Sequence, residues 1–173
     1  ECIGLPSFEE LQKTEQILLT RADNQLDPEA IYQLFVGVRP GGPDIENRKS
    51  TLAHQVIAAA GNGGDAKLLV VAGSILAKGV YVTKDTSLAI DYFARAWALG
   101  GNTAAAIARL YYDTHDLNNA YLWALRCIGD CKADLESTER NRLEQKLSGG
   151  AIKQAQIAAK DKTVMALATQ KEH

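Results

Sequence analysis

Between Asp65 and Gly100 the chain spells out two helices and the turn that joins them. Apolar residues recur at helical spacing from Ala66 to Lys78, Gly79 stops that run, Asp85 supplies a cap, and a second run ends at Gly100. A lone helical hairpin cannot bury its own apolar face, so it requires further helices stacked on both sides. The composition agrees. Aromatics are 6% of the chain, and the Val, Thr and aromatic runs that mark strands are nearly absent. The expected fold is therefore all-α, a single domain of 173 residues arranged as a short α-solenoid of antiparallel hairpins with flanking helices.

The remaining helices announce themselves by their caps. Ser7 and Glu10 form a capping box that opens a helix from Phe8 to about Ala22, with Phe8, Leu11, Ile17 and Leu18 as packing residues. Asp27-Pro28-Glu29 starts a second helix, whose apolar stripe is Ala30, Ile31, Leu34, Phe35 and Val38. Arg39-Pro40-Gly41-Gly42-Pro43-Asp44 breaks the pattern, and 39–48 reads as an exposed connector. Its Gly-Gly lacks the preceding strand and the Lys-Ser/Thr of a phosphate cradle. Ser50 or Thr51 caps a helix over 52–60. Further helices are expected over 103–113, 118–128, 136–147 and 151–169, with Thr114-His115-Asp116 as a tight turn and Ser148-Gly149-Gly150 as a stop.

Charge and hydropathy exclude several classes. A net charge of −2, with 19 basic residues interspersed among 21 acidic ones, does not make the clustered positive surface a nucleic-acid binder needs. No apolar run approaches the ~18 residues of a membrane span. The chain begins Glu1-Cys2 without an initiator Met, as a mature chain trimmed of a targeting segment would. Chemistry is equally sparse. There is no Gly-x-Ser-x-Gly elbow, and His54, His115 and His173 are dispersed. Glu9-Glu10 and Asp113/Asp116 fit caps and solvated faces better than an acid–base pair. Cys127 and Cys131 stand four apart on the expected 118–128 helix and its end. Their Cα atoms would lie ~6 Å apart there, which leaves both a disulfide and two small half-buried residues open. No ligand set for zinc accompanies them. The expectation is a chain with no enzymatic activity, cofactor or metal.

Two stretches repeat. Asp85, Ala89, Tyr92, Arg95 and Ala96 precede Gly100; Asp116, Ala120, Trp123, Arg126 and Cys127, at the same offsets from their Asp, precede Gly129. In each, Asp caps, the small residues permit close helix approach, and the aromatic fills the space between hairpins. With Gly73 in the first helix, and Gly79, Val82, Lys84 and Asp85 in the loop, residues 65–100 resemble the Sel-one-like repeat, a tetratricopeptide relative. Tyr81 replaces the second loop glycine of that pattern. The unit 101–129 departs further, with Arg109 in place of the first-helix glycine, and 30–64 is degenerate. The resemblance thus covers about 30–129, leaving 1–26 and 130–173 as flanking helices.

That resemblance implies a protein-binding module, since in such arrays the first helix of each pair lines the concave side where partner segments dock. On α-helical periodicity the 66–78 helix buries Leu68, Ala72, Gly73 and Leu76 and presents Lys67, Val70, Ser74 and Lys78. The 103–113 helix buries Ala104, Ala108 and Tyr112 and presents Thr103, Ala106, Ile107 and Leu110. The apolar Val70, Val71, Ile107 and Leu110 on the presented sides are either covered by flanking helices or form a binding patch. Trp123 occupies the repeat's aromatic position and is expected in the core. Trp97 falls outside it and is a contact candidate, as are Tyr81, Arg109 and Tyr111. Members of the resembled family are often bacterial and exported. The resemblance implies an envelope or periplasmic protein whose partner is another protein. That partner is either a secreted antibacterial effector, which this chain would neutralise as an immunity protein, or a component of an envelope assembly, secretion or signalling system that it serves as scaffold or adaptor.

Overall fold

The computed structural model describes residues 7–36, 43–129, 131 and 137–168. Among these residues the chain is all-α, with no strand. The helices are α1 (Phe8–Gln25), α2 (Pro28–Phe35), α3 (Pro43–Asn62), α4 (Ala66–Lys78), α5 (Thr86–Ala98), α6 (Ala104–Asp113), α7 (Leu117–Arg126), α8 (Ser137–Lys146) and α9 (Gly149–Ala159). Val38, residues 39–42, Thr169 and His173 lie outside the described residues. The chain forms two compact units, which meet in sequence at Tyr92 and Phe93.

In the first unit the caps sit where the sequence puts them. The Ser7 hydroxyl accepts from the Glu10 N–H, and the Glu10 carboxylate accepts from the Ser7 N–H at 2.7 Å. Asp27 accepts the Glu29 and Ala30 amides ahead of α2, and Asp65 those of Lys67 and Leu68 ahead of α4. Gly79 closes α4 at φ +67°, a left-handed conformation. A side chain there would also drive a Cβ to 2.8 Å from that of Lys84. Helix α4 packs against α2 and α3, while α1 packs against α2 and α3. The buried residues Leu19, Ala22, Ile31, Leu34, Leu52, Val56, Leu69 and Val71 fill the space between them.

Two expectations for this unit change. Helix α3 begins at Pro43, nine residues before the expected start, because proline at a first helical position gives up no hydrogen bond and its fixed φ already suits a helix. Residues 43–48 are thus helix rather than connector. In α1 the buried pair is Leu19 and Ala22, whereas Phe8 and Ile17 are exposed and Leu11 and Leu18 only half-buried. The packing stripe is rotated by one residue.

The second unit is organised by α7, which packs against α6, α8 and α9. Seven of its ten residues are buried: Asn119, Ala120, Tyr121, Leu122, Trp123, Ala124 and Arg126. A helix covered on nearly all sides is a core element. Asp116 caps it through the Asn119 amide at 3.1 Å, at the same offset at which Asp85 accepts from the Leu88 amide at 2.9 Å. The turn before it places His115 at φ +61°. Helix α7 ends at Arg126 rather than 128. Cys127 leaves the helix, Gly129 turns at φ +64°, and Cys127 and Cys131 are joined by a disulfide with Cα atoms 5.0 Å apart. They do not share a helical face.

Helix α8 ends at Lys146, where a stop is expected, and α9 starts at Gly149, capped by the Ser148 hydroxyl, so Gly149 and Gly150 belong to its first turn. It ends at Ala159, well short of 169. Asp161 accepts both the amide and the hydroxyl of Thr163, at 2.9 and 2.7 Å. This local turn competes with helix continuation. Beyond it, residues 164–168 run without helical structure along α7.

Candidate functional site

The residues nominated from sequence divide between the two units. In the first, all but Lys78 are tied to their neighbours. The Lys67 ammonium pairs with the Glu29 carboxylate, which lowers the Glu29 pKa and raises that of Lys67, chiefly through the hydrogen bond between them. The Ser74 hydroxyl donates to the Val70 carbonyl of its own helix at 2.8 Å. Val70 is half-buried, Val71 fully buried, and Lys78 exposed in the last turn of α4. Leu68, expected in the core, is only half-buried, and its neighbour Leu69 takes the buried position. Tyr81 stacks edge-on against Phe35, with centroids 5.4 Å apart, and donates to Glu46 at 2.6 Å. Burial first, and the hydrogen bond to Glu46 second, push the Tyr81 phenol up to about 12. Glu46 also pairs with the buried Lys49 at 3.0 Å. Reading 43–48 as a connector hid this network. Its only trace in the sequence was Tyr81 standing where a glycine was expected.

In the second unit the presented side of α6 is not presented. Ile107 is 0% exposed and Leu110 8%, so neither belongs to a binding patch. Tyr112, expected in the core, is 44% exposed and lies under the Lys146 ammonium, 5.3 Å from the ring centroid. The α6 stripe thus runs through Ala104, Ile107, Ala108 and Leu110 and leaves Tyr112 at its margin. Tyr111 is half-buried, and burial raises its pKa. Arg109 is exposed and lines a depression of about 340 Å³ with Tyr112, Glu139, Arg142 and Leu143.

Trp97 leads to the most structured surface in this unit. Its indole is half-buried and meets the fully buried Trp123 edge-on, with centroids 5.1 Å apart. The Arg126 guanidinium lies against both rings, 5.0 Å from Trp97 and 4.7 Å from Trp123, and the Lys162 ammonium lies 5.9 Å from Trp97. Arg126 is only 6% exposed, and its pKa is lowered by burial, with Asp161 acting in the opposite direction. Its Nη2 donates to the carbonyls of Ala158, Asp161 and Val164 at 3.2, 2.7 and 2.6 Å, while Nε and Nη1 meet no acceptor. Outside this cluster opens a depression of about 530 Å³ lined by Trp97, Leu125, Arg126, Ile128, Lys160 and Lys162 among others. Ile128 stands 71% exposed at its edge. Trp and Arg are among the residue types enriched at protein–protein hot spots.

Arg126 and Asn119 were not singled out from sequence as site residues. The available signal was that both are polar on a mainly apolar helix, at spacing that places them on one stripe with Trp123. Among the described residues no group of three or more His, Cys, Asp and Glu side chains is placed to hold a metal ion, and no helix is long and apolar enough to cross a membrane. No family model, curated protein or solved structure matches this chain.

Proposed function

We propose that this chain is a non-enzymatic protein-binding module of the Sel-one-like kind, built from stacked hairpins, and that it grips its partner through the Trp97–Arg126 depression. The observation that carries the reading is a half-buried indole and an exposed isoleucine around a buried guanidinium, with two lysines on the rim. Such a surface suits a partner offering an apolar side chain beside a carboxylate. The repeat supports the architectural part. Asp85 and Asp116 cap at the same offset, Ala89 and Ala120 are both 0% exposed, and Tyr92 and Trp123 are both buried. The Cys127–Cys131 disulfide supports an oxidising, exported setting. The specific form of the proposal is an immunity protein that neutralises a secreted antibacterial effector in a one-to-one complex. Co-purification from the source cells followed by native mass spectrometry tests it. A soluble effector at one-to-one stoichiometry is expected. A membrane assembly as the retained partner would replace immunity with a scaffold or adaptor role, and catalytic turnover by the chain alone would overturn the module reading.

A further inference from the structure

Arg126 is a buried cation whose charge its neighbours solvate but do not cancel. It is 6% exposed, and burial lowers its pKa, which reflects the cost of holding a guanidinium away from water. Its Nη2 donates to three main-chain carbonyls, and its Cζ lies against the rings of Trp97 and Trp123. Carbonyl dipoles and ring faces attract a cation and leave its net charge in place. Among the described residues no carboxylate forms an ion pair with it. Asp161 acts on it only through its field, because that carboxylate is exposed and accepts from the Thr163 amide and hydroxyl instead. Nε and Nη1 are buried and meet no acceptor. Buried charges in proteins are ordinarily paired, and Arg126 stands outside that rule.

The surface around it carries the same sign. Arg126, Lys160 and Lys162 line the depression of about 530 Å³, and among the described residues no Asp or Glu lines it, in a chain whose net charge is −2. Like charges gathered at one spot repel one another, and an anion among them relieves that repulsion. The remaining walls include Trp97, Leu125 and Ile128, which are apolar. Apolar walls with a few convergent polar groups, in a volume of roughly 300–1,000 Å³, are the pattern of small-molecule sites. Arg126 is nearly sealed, so an anion that faces it must be slender, and the exposed Lys160 and Lys162 can close over that anion. Inorganic phosphate has no apolar body to set against the indole and the aliphatic walls. We propose that the Trp97–Arg126 depression is a binding site for a small apolar carboxylate. The two lysines contact the carboxylate directly, Arg126 supports it as the buried countercharge, and Trp97, Leu125 and Ile128 hold the apolar body. The proposal rests on the reading of this depression as the functional surface and adds a ligand that controls it, since a molecule bound there takes the space a partner's side chains would enter.

The probe is 4-methylpentanoate, with 4-methylpentanamide as its neutral counterpart of the same shape. Trp97 and Trp123 are the chain's only tryptophans and Trp97 lines the depression, so indole fluorescence of the full chain reports binding. Titrations are run at constant ionic strength, balanced with sodium chloride, so that screening is the same throughout. The acid should change the emission saturably and bind at least about tenfold more tightly than the amide. Trp97→Phe should remove that change. The Lys160→Ala, Lys162→Ala double variant loses two exposed side chains beyond the end of α9 and leaves the core intact. It should bind the acid at least about tenfold more weakly, and the corresponding double Arg variant should recover the affinity. Equal binding of acid and amide, no saturable change, a change that persists in Trp97→Phe, or unaltered affinity in the double Ala variant overturns the proposal. Displacement of the acid by an equal concentration of inorganic phosphate overturns the ligand class by making this a general anion site. Acetyl-Leu-Asp-amide presents the carboxylate on a peptide, and its binding more tightly than the acid would overturn the small-molecule assignment in favour of a protein-borne carboxylate. The titration uses no natural partner, so its failure leaves partner docking at Trp97 standing, and failure of that docking leaves the titration result intact.

Discussion

Arg126 is the residue whose removal should be felt most sharply. Its Nη2 serves three carbonyls, at 3.2, 2.7 and 2.6 Å, from Ala158, Asp161 and Val164, and its guanidinium fills the angle between Trp97 and Trp123. Arg126→Ala abolishes all of this at once. Three hydrogen bonds at a net ~1 kcal/mol each and about 1 kcal/mol for the indole contacts are offset in part by the relief of a buried cation. The expected loss is therefore about 3 kcal/mol, or about 6–12 °C in Tm for a chain of this size. The chain's only two tryptophans both flank the guanidinium, so intrinsic fluorescence during urea unfolding reports this unit directly. Arg126→Lys keeps the charge but not the fork, and one ammonium cannot replace it against both the carbonyls and the rings. It should recover less than half of the loss. An Arg126→Ala chain within about 0.5 kcal/mol of the unsubstituted one, or an Arg126→Lys chain of full stability, would refute the reasoning.

Other perturbations follow from the same geometry. Tyr81 is held neutral by burial and by Glu46, so its folded pKa of about 12 lies above the ordinary value of 10.0. Its contribution is complete below pH 10 and is lost as pH rises through 12. Absorbance at 295 nm should show late-titrating phenols, Tyr111 and Tyr121 among them, and Tyr81→Phe should remove one. The Asp27 carboxyl is held below the ordinary range, first by its hydrogen bond from Arg21 and next by the Ala30 amide. The stability difference between the unsubstituted chain and Asp27→Asn should therefore persist above the unfolded aspartate pKa and vanish as pH falls through the lower folded value. Cys131→Ser opens the short loop closed by the disulfide, at a chain-entropy cost of about 2 kcal/mol. Reduction by dithiothreitol should reproduce that loss in the unsubstituted chain only. Gly79→Ala should cost about 1–2 kcal/mol in thermal unfolding, because it forces a Cβ into a left-handed position against Lys84.

The helices were legible wherever a cap and a stop bracket an apolar period. Asp65 and Gly79 frame α4, and Asp116 opens α7, because each satisfies its helix end locally without help from distant residues. Where the deciding contact is distant, the sequence carried little. Ile107 and Leu110 look presented on a helical wheel, but both are buried, and the exposed side of α6 carries Arg109 and Tyr112 instead. The early start of α3 was masked by Pro43, read as a breaker although proline also opens helices. The α7 stripe was the least visible part. Its partners lie 32 to 48 residues further along the chain and are backbone atoms, which leave no side-chain signature. Trp97 stands out as the aromatic outside the repeat pattern, but the guanidinium beside it, Arg126, falls on a repeat position and so carries no separate signal.

Binding of the purified partner to the unsubstituted chain and to Trp97→Ala, compared by isothermal titration calorimetry, tests the central claim most directly. The account predicts one-to-one binding by the unsubstituted chain and a loss of at least ~2 kcal/mol with Trp97→Ala, with helical content unchanged by circular dichroism. Equal affinity of the two folded proteins would contradict it.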